Sequence, residues 1–130
     1  TQSLLLTKSV LADAAKVIYN NKIKIEKEAK NSVGYQKSDI LLLSNDAEAA
    51  PIPILEIDTN EVSCTHGTTV SKIDPEKLFY LMSRGLDEKL ATITILKGFF
   101  ESLFKRMAFT KVHGQEIKKI LNDKLRRVVE

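Results

Sequence analysis

Cys64-Thr65-His66 brings together the only cysteine of the chain and one of its two histidines. Residues two apart in a strand point to the same face, so thiol and imidazole would stand side by side. Both suit zinc, copper and iron–sulfur clusters, and the pair could form one edge of such a site. A closed site needs more ligands than two. There is no second cysteine, and His113 lies far along the sequence. A Cys–His nucleophile pair is a weaker reading, because its base normally comes from a distant segment. The competing reading is structural: Cys64 as a small buried residue and His66 as a hydrogen-bonded one. Residue type and spacing alone favour that structural role.

Other chemistry is sparse. Gly34 and Gly67 are lone glycines, and neither GxxxxGK[ST] nor GxGxxG occurs, so no phosphate-cradling loop is written into the sequence. No carboxylate pair stands out. Tyr19, Tyr35 and Tyr80 are scattered, which leaves no aromatic platform for bases.

The elements that would position Cys64 and His66 come in two kinds. Up to residue 73 the chain reads as short strands: Ser3–Lys8, Ala15–Tyr19, Lys22–Lys27 (KIKIEK, strictly alternating), Ile40–Leu43 (continuously apolar), Ile52–Ile57 and Val62–Val70. Alternation implies one buried face and a continuous apolar run implies cover on both. Asn20-Asn21, Asn31 to Gly34, Ser44 to Asp46 and Asp58 to Asn60 have turn composition. The spacing fits a sandwich or a β-solenoid, without a visible sequence repeat. Pro51 and Pro53 remove two backbone donors, so their strand belongs at an edge or with its free side outward.

From residue 74 the period becomes helical, which predicts a domain over 74–130. Asp74-Pro75-Glu76 combines an N-cap, a first-turn proline and an acid at the positive helix end. Gly85 is placed to end this helix as a left-handed C-cap. Asp87 caps a longer apolar helix to Phe104, Thr110–Gly114 predicts a break, and Gln115–Val129 a third helix. Strands first and helices after is a segregated α+β layout. The first two helices also permit a helix-turn-helix, a nucleic-acid module fused to a β-domain. That motif wants a basic, exposed second helix; Ala91, Ile93, Ile95, Leu96, Phe99 and Phe100 make this one apolar.

The 130 residues carry 43% hydrophobic and 28% charged residues, a globular composition for a single domain with or without a helical appendage. The net charge is +3, with the excess in the second half, where acids are interspersed; a solvated helix face explains this better than a nucleic-acid patch. One cysteine gives no internal disulfide framework, no apolar run is long enough to span a bilayer, and Thr1-Gln2-Ser3 lacks the basic segment of a signal peptide. The expectation is a cytoplasmic protein, and the non-Met start suggests a fragment or processed product.

CTHGTTVSKIDPEKLFYLMSRGL, Cys64 to Leu86, closely resembles the C-terminal signature of the SufB/SufD family, components of the SUF iron–sulfur cluster assembly machinery. GYQKSDILLLSNDAEAAPIPILEI, Gly34 to Ile57, is similar to the family's late β-helix coils, and Asp87 to Phe104 to its following helix. The similarity weakens before Tyr19 and after Arg106. It implies the last coils of a right-handed parallel β-helix followed by a C-terminal helical domain.

The resemblance also implies roles. Tyr35-Gln36-Lys37 stands where SufB-like members have Thr-Gln-Cys, and Thr65-His66-Gly67 where they have Glu-His-Glu; both departures point to a SufD-like, non-catalytic subunit. His66 matches a histidine implicated in the SufD half of a site shared between subunits, with Cys64 helping or merely packing. The cluster there would be transient and shared, with none bound by this chain alone. The helical domain would dock a SufC-type ATPase through Pro75, Leu78, Phe79, Tyr80, Leu81, Arg84, Gly85 and Leu86. The expected partners are that ATPase and a SufB-like subunit or a second copy of the chain, with neither nucleic acid nor membrane.

Overall fold

The computed structural model describes residues 1–106 and 111–129, with side chains of the last helix described from Gly114 onward. Five strands precede three helices, and the chain divides into two compact units, Thr1–Lys72 and Ile73–Glu130.

The strands are β1 (Gln2–Leu11), β2 (Lys16–Ile25), β3 (Ser32–Leu42), β4 (Glu48–Ile57) and β5 (Val62–Lys72). Odd-numbered strands form one parallel sheet in the order β1-β3-β5, and β2 pairs parallel with β4 in a second. Each pairing therefore skips a strand. Gln2 aligns with Val33, Ser32 with Val62 and Lys16 with Glu48, offsets of 31, 30 and 32 residues. This geometric repeat leaves no matching repeat in the residues.

The alternation KIKIEK works as its period predicts: Ile23 and Ile25 are buried while Lys22 and Lys24 are exposed. Ile40 and Leu41 are both buried, so that run is covered on both faces. Ile40 joins a core with Leu11 and Ala47, against which Val17, Leu42 and Ala49 pack. Burying each large aliphatic side chain contributes roughly 1.5–3 kcal/mol.

Two predicted turns are strand instead. Asn20-Asn21 lies inside β2, which merges Ala15–Tyr19 with Lys22–Lys27. The Asn21 amide donates to Ser38 Oγ at 3.0 Å, so an interior partner offsets its preference for turns. Of Asn31 to Gly34, only Asn31 is turn-like, with φ 59°; β3 begins at Ser32 and carries Gly34 and Gln36. Ile52 and Ile54 alternate, but on the outward face: they are 47% and 42% exposed.

Pro51 and Pro53 lie on the free side of β4. Glu48 N–H donates to Ala15 O and Asp58 N–H to Ile25 O, so even-numbered residues of β4 face β2. The two odd-numbered prolines face the open edge, where their missing donors cost no ladder bond.

The second unit holds α1 (Pro75–Ser83), α2 (Glu88–Phe104) and α3 (Lys111–Val129). Asp74 Oδ1 accepts from the Glu76 N–H at 2.9 Å, and Asp87 Oδ1 from the Leu90 N–H at 2.8 Å. Gly85 has φ 94°; its N–H reaches Met82 O and that of Leu86 reaches Leu81 O. That is the paired bonding of a glycine-terminated helix. Of the predicted break at Thr110–Gly114, Thr110 lies outside the described residues and 111–114 are the first residues of α3. Nothing about Gly114 forbids helix; it costs only about 1 kcal/mol relative to Ala there. Ala91, Leu96 and Leu125 form the buried positions, and Lys118 of α3 bonds Glu101 of α2 at 3.1 Å.

Candidate functional site

In β3 every even-numbered residue from Ser32 to Ile40 is buried, and the odd-numbered ones are exposed or half-buried. The even face is therefore the interior face, turned toward the second sheet. Gln36 Nε2 donates across to Asn21 O at 3.4 Å, and Asn21 Nδ2 and Thr7 Oγ1 both donate to Ser38 Oγ. A polar row thus runs through the interior beside the apolar core.

β5 is set against this row by register. Gly34 aligns with Cys64, Gln36 with His66 and Ser38 with Thr68. Cys64 and His66 do share a face, the one carrying Gly34 and Gln36. Cys64 is half-buried and its thiol lies over Gly34: a Cβ there would come within 3.0 Å of Sγ. The approach is close, so a side chain at residue 34 would require the thiol to shift by a few tenths of an ångström. His66 is exposed.

Gln36 is 1% exposed, and its Oε1 is buried without a hydrogen-bond partner among the described residues. In the sequence Gly34 reads only as a lone glycine and Gln36 only as part of Tyr35-Gln36-Lys37. The signal was present as even spacing with Ser38 and Ile40, hidden because Asn31 to Gly34 has turn composition. Lys37 lies on the opposite face, 3.6 Å from Asp39 Oδ1.

As donors for soft metal, the thiol and imidazole suit iron. Among the described residues no group of three His, Cys, Asp or Glu side chains could hold a metal ion. Cys64 and His66 alone offer two donors, fewer than a closed metal site needs.

A charge cluster lies elsewhere. On the outward face of the second sheet, the Lys22 hydrogen bond and the charges of Lys22 and Lys24 hold the Glu56 carboxyl below its usual range. Glu26, by hydrogen bond and charge, and then Glu56 raise Lys24.

The residues expected to dock a partner gather on α1 and its C-terminal turn. Leu78, Leu81 and Leu86 are half-buried, and Pro75, Phe79, Tyr80, Arg84 and Gly85 are exposed. No residue of α1 is fully buried. Phe79 is 73% exposed and Tyr80 57%, with the Arg84 guanidinium 5.1 Å from the Tyr80 ring centre. A helix of this composition ordinarily buries an apolar stripe; this one leaves aromatic surface open. Among the described residues, no helix is long and apolar enough to cross a membrane.

The family described as SUF system FeS cluster assembly, SufBD core domain, matches residues 1–99. An iron-sulfur cluster assembly SufBD family protein of Staphylococcus saprophyticus is 36% identical over 107 residues, covering 82% of this chain. Proteins of the same description from Staphylococcus aureus strains USA300 and N315 match to the same extent. The chain spans 23% of the length of these relatives.

Proposed function

This chain belongs to the SufBD family, and on that premise we propose that it is a non-catalytic, SufD-like subunit of the SUF iron–sulfur assembly machinery. It docks a SufC-type ATPase through α1 and contributes Cys64 and His66 to a cluster-assembly site shared with a SufB-like subunit or a second copy. The two alternating parallel sheets, offset by 30 to 32 residues, are read as the last coils of a right-handed parallel β-helix. Such coils supply a rigid ladder along which ligand positions are fixed by register. The cluster is cargo here, held only while the partner completes the ligand set. The reading places the protein in the cytoplasm and gives it no nucleic-acid or membrane ligand.

The observation that carries the docking proposal is the open aromatic surface of α1. Exposed Phe79 and Tyr80, with Arg84 alongside, are the residue types that dominate protein–protein binding energy. Two observations support the shared site: Cys64 and His66 on one face, and β5 at the end of its sheet, paired with β3 alone among the described residues.

The test is co-purification of the chain with the SufC-type ATPase and the SufB-like subunit of the same organism. Co-elution as one complex is the expected result. A chain that is folded by circular dichroism yet elutes apart from the ATPase would overturn the docking proposal. Because Leu81 is half-buried, a charge there would perturb folding, and Phe79→Asp is the cleaner disrupting variant.

A further inference from the structure

We infer that Gln36 is a positioning residue for His66: its buried Oε1 accepts the N–H of one imidazole nitrogen and keeps the other nitrogen as a lone-pair donor. This rests on the reading of His66 as a contributor to the shared site.

Gln36 is 1% exposed, and its Oε1 meets no donor among the described residues. A buried acceptor without a donor bears the full desolvation penalty. The other end of the amide is fixed, since Nε2 donates to Asn21 O at 3.4 Å and only the NH2 group can do so. Oε1 is therefore the end left to be satisfied.

Register selects the donor. Across the sheet Gln36 has Leu5 on one side and His66 on the other. Leu5 has nothing to donate. The Thr7 hydroxyl and one Asn21 N–H are spent on Ser38 Oγ, neither the Ser38 hydroxyl nor the second Asn21 N–H reaches Oε1, and the Cys64 thiol lies over Gly34 and is a weak donor. His66 is exposed, and a turn of its ring would bring one edge inward while the other stays at the surface. A neutral imidazole has one N–H and one lone pair, and the partner of the first decides which nitrogen is the second. A carbonyl oxygen in this role fixes the tautomer and raises the basicity of the ligating nitrogen without adding charge.

The test records imidazole nitrogen shifts in the full chain labelled with 15N-histidine, at alkaline pH where imidazole is neutral. A His66→Asn spectrum separates the signals of His66 from those of His113. The expected result is one protonated and one bare nitrogen in wild type, with averaged shifts in Gln36→Met. Iron(II) retention by the chain assembled with its SufB-like partner should fall about 10- to 100-fold in Gln36→Met. An averaged wild-type spectrum overturns the inference without requiring any variant to fold. So does a folded Gln36→Met chain with the wild-type tautomer. A tautomer released in Gln36→Met beside unchanged iron retention in His66→Ala keeps the hydrogen bond and removes the shared-site reading.

Discussion

Gly34 and Cys64 act as a pair, and the pair makes a sharp prediction. A methyl at Gly34 would stand 3.0 Å from the thiol sulfur. Overpacking of this kind typically costs about 1–3 kcal/mol, while alanine in place of a strand glycine returns roughly 0.5–1 kcal/mol. Gly34→Ala should therefore lower the denaturation midpoint in the wild-type background. In a Cys64→Ala background the same change should be neutral or stabilising. Urea titration of the four chains checks this, and additive effects would show that the two residues do not meet. Cys64 and His66 themselves were legible as same-face neighbours from their spacing. What they face was not, because a register spanning 30 residues leaves no local trace.

Charge belongs to the residue scale too. Glu56 is held below its ordinary carboxyl range by Lys22 and Lys24. A carboxyl depressed in the folded state adds stability above its unfolded value, about 4.3, and loses it as pH falls through the folded value. Both partners are solvent-exposed, so the effect is small. Thermal melts from pH 6 to pH 3 should fall slightly more steeply in wild type than in Glu56→Gln. Equal slopes would show that the cluster is electrostatically idle.

At the scale of elements, the helices were more readable than the strands for a physical reason. Asp74, Asp87 and Gly85 each act on backbone groups within five residues, so the signal and its cause lie together in the sequence. The strands pair with the element after next, and no local pattern announces that. Hence β3 is legible only at its apolar end, Ile40 to Leu42, while its first residues, Ser32 to Gly34, have turn composition. Pro51 and Pro53 are the exception, because a missing donor restricts pairing whatever the partner. Their position on the open side of β4 blunts an edge that would otherwise invite another strand. Pro51→Val with Pro53→Val should restore two donors there and raise self-association. Sedimentation velocity over a concentration series checks this, and a sedimentation profile unchanged from wild type would show that the prolines do not guard the edge.

At the scale of the molecule, two compact units carry two proposed tasks: Thr1–Lys72 presents the candidate ligands and Ile73–Glu130 the open apolar helix. The family match reaches across both, from residue 1 to residue 99. The most direct measurement of the account is calorimetric titration of the chain with the SufC-type ATPase, comparing wild type, Phe79→Asp and Lys124→Asp. Phe79 is the most exposed aromatic of α1, and Lys124 lies on the exposed basic face of α3. A desolvated aromatic anchor is worth about 2 kcal/mol or more, so Phe79→Asp should weaken binding at least about 30-fold, with Lys124→Asp close to wild type. If Lys124→Asp abolishes binding and Phe79→Asp leaves it intact, the ATPase does not dock on α1 and the proposed division of labour is wrong.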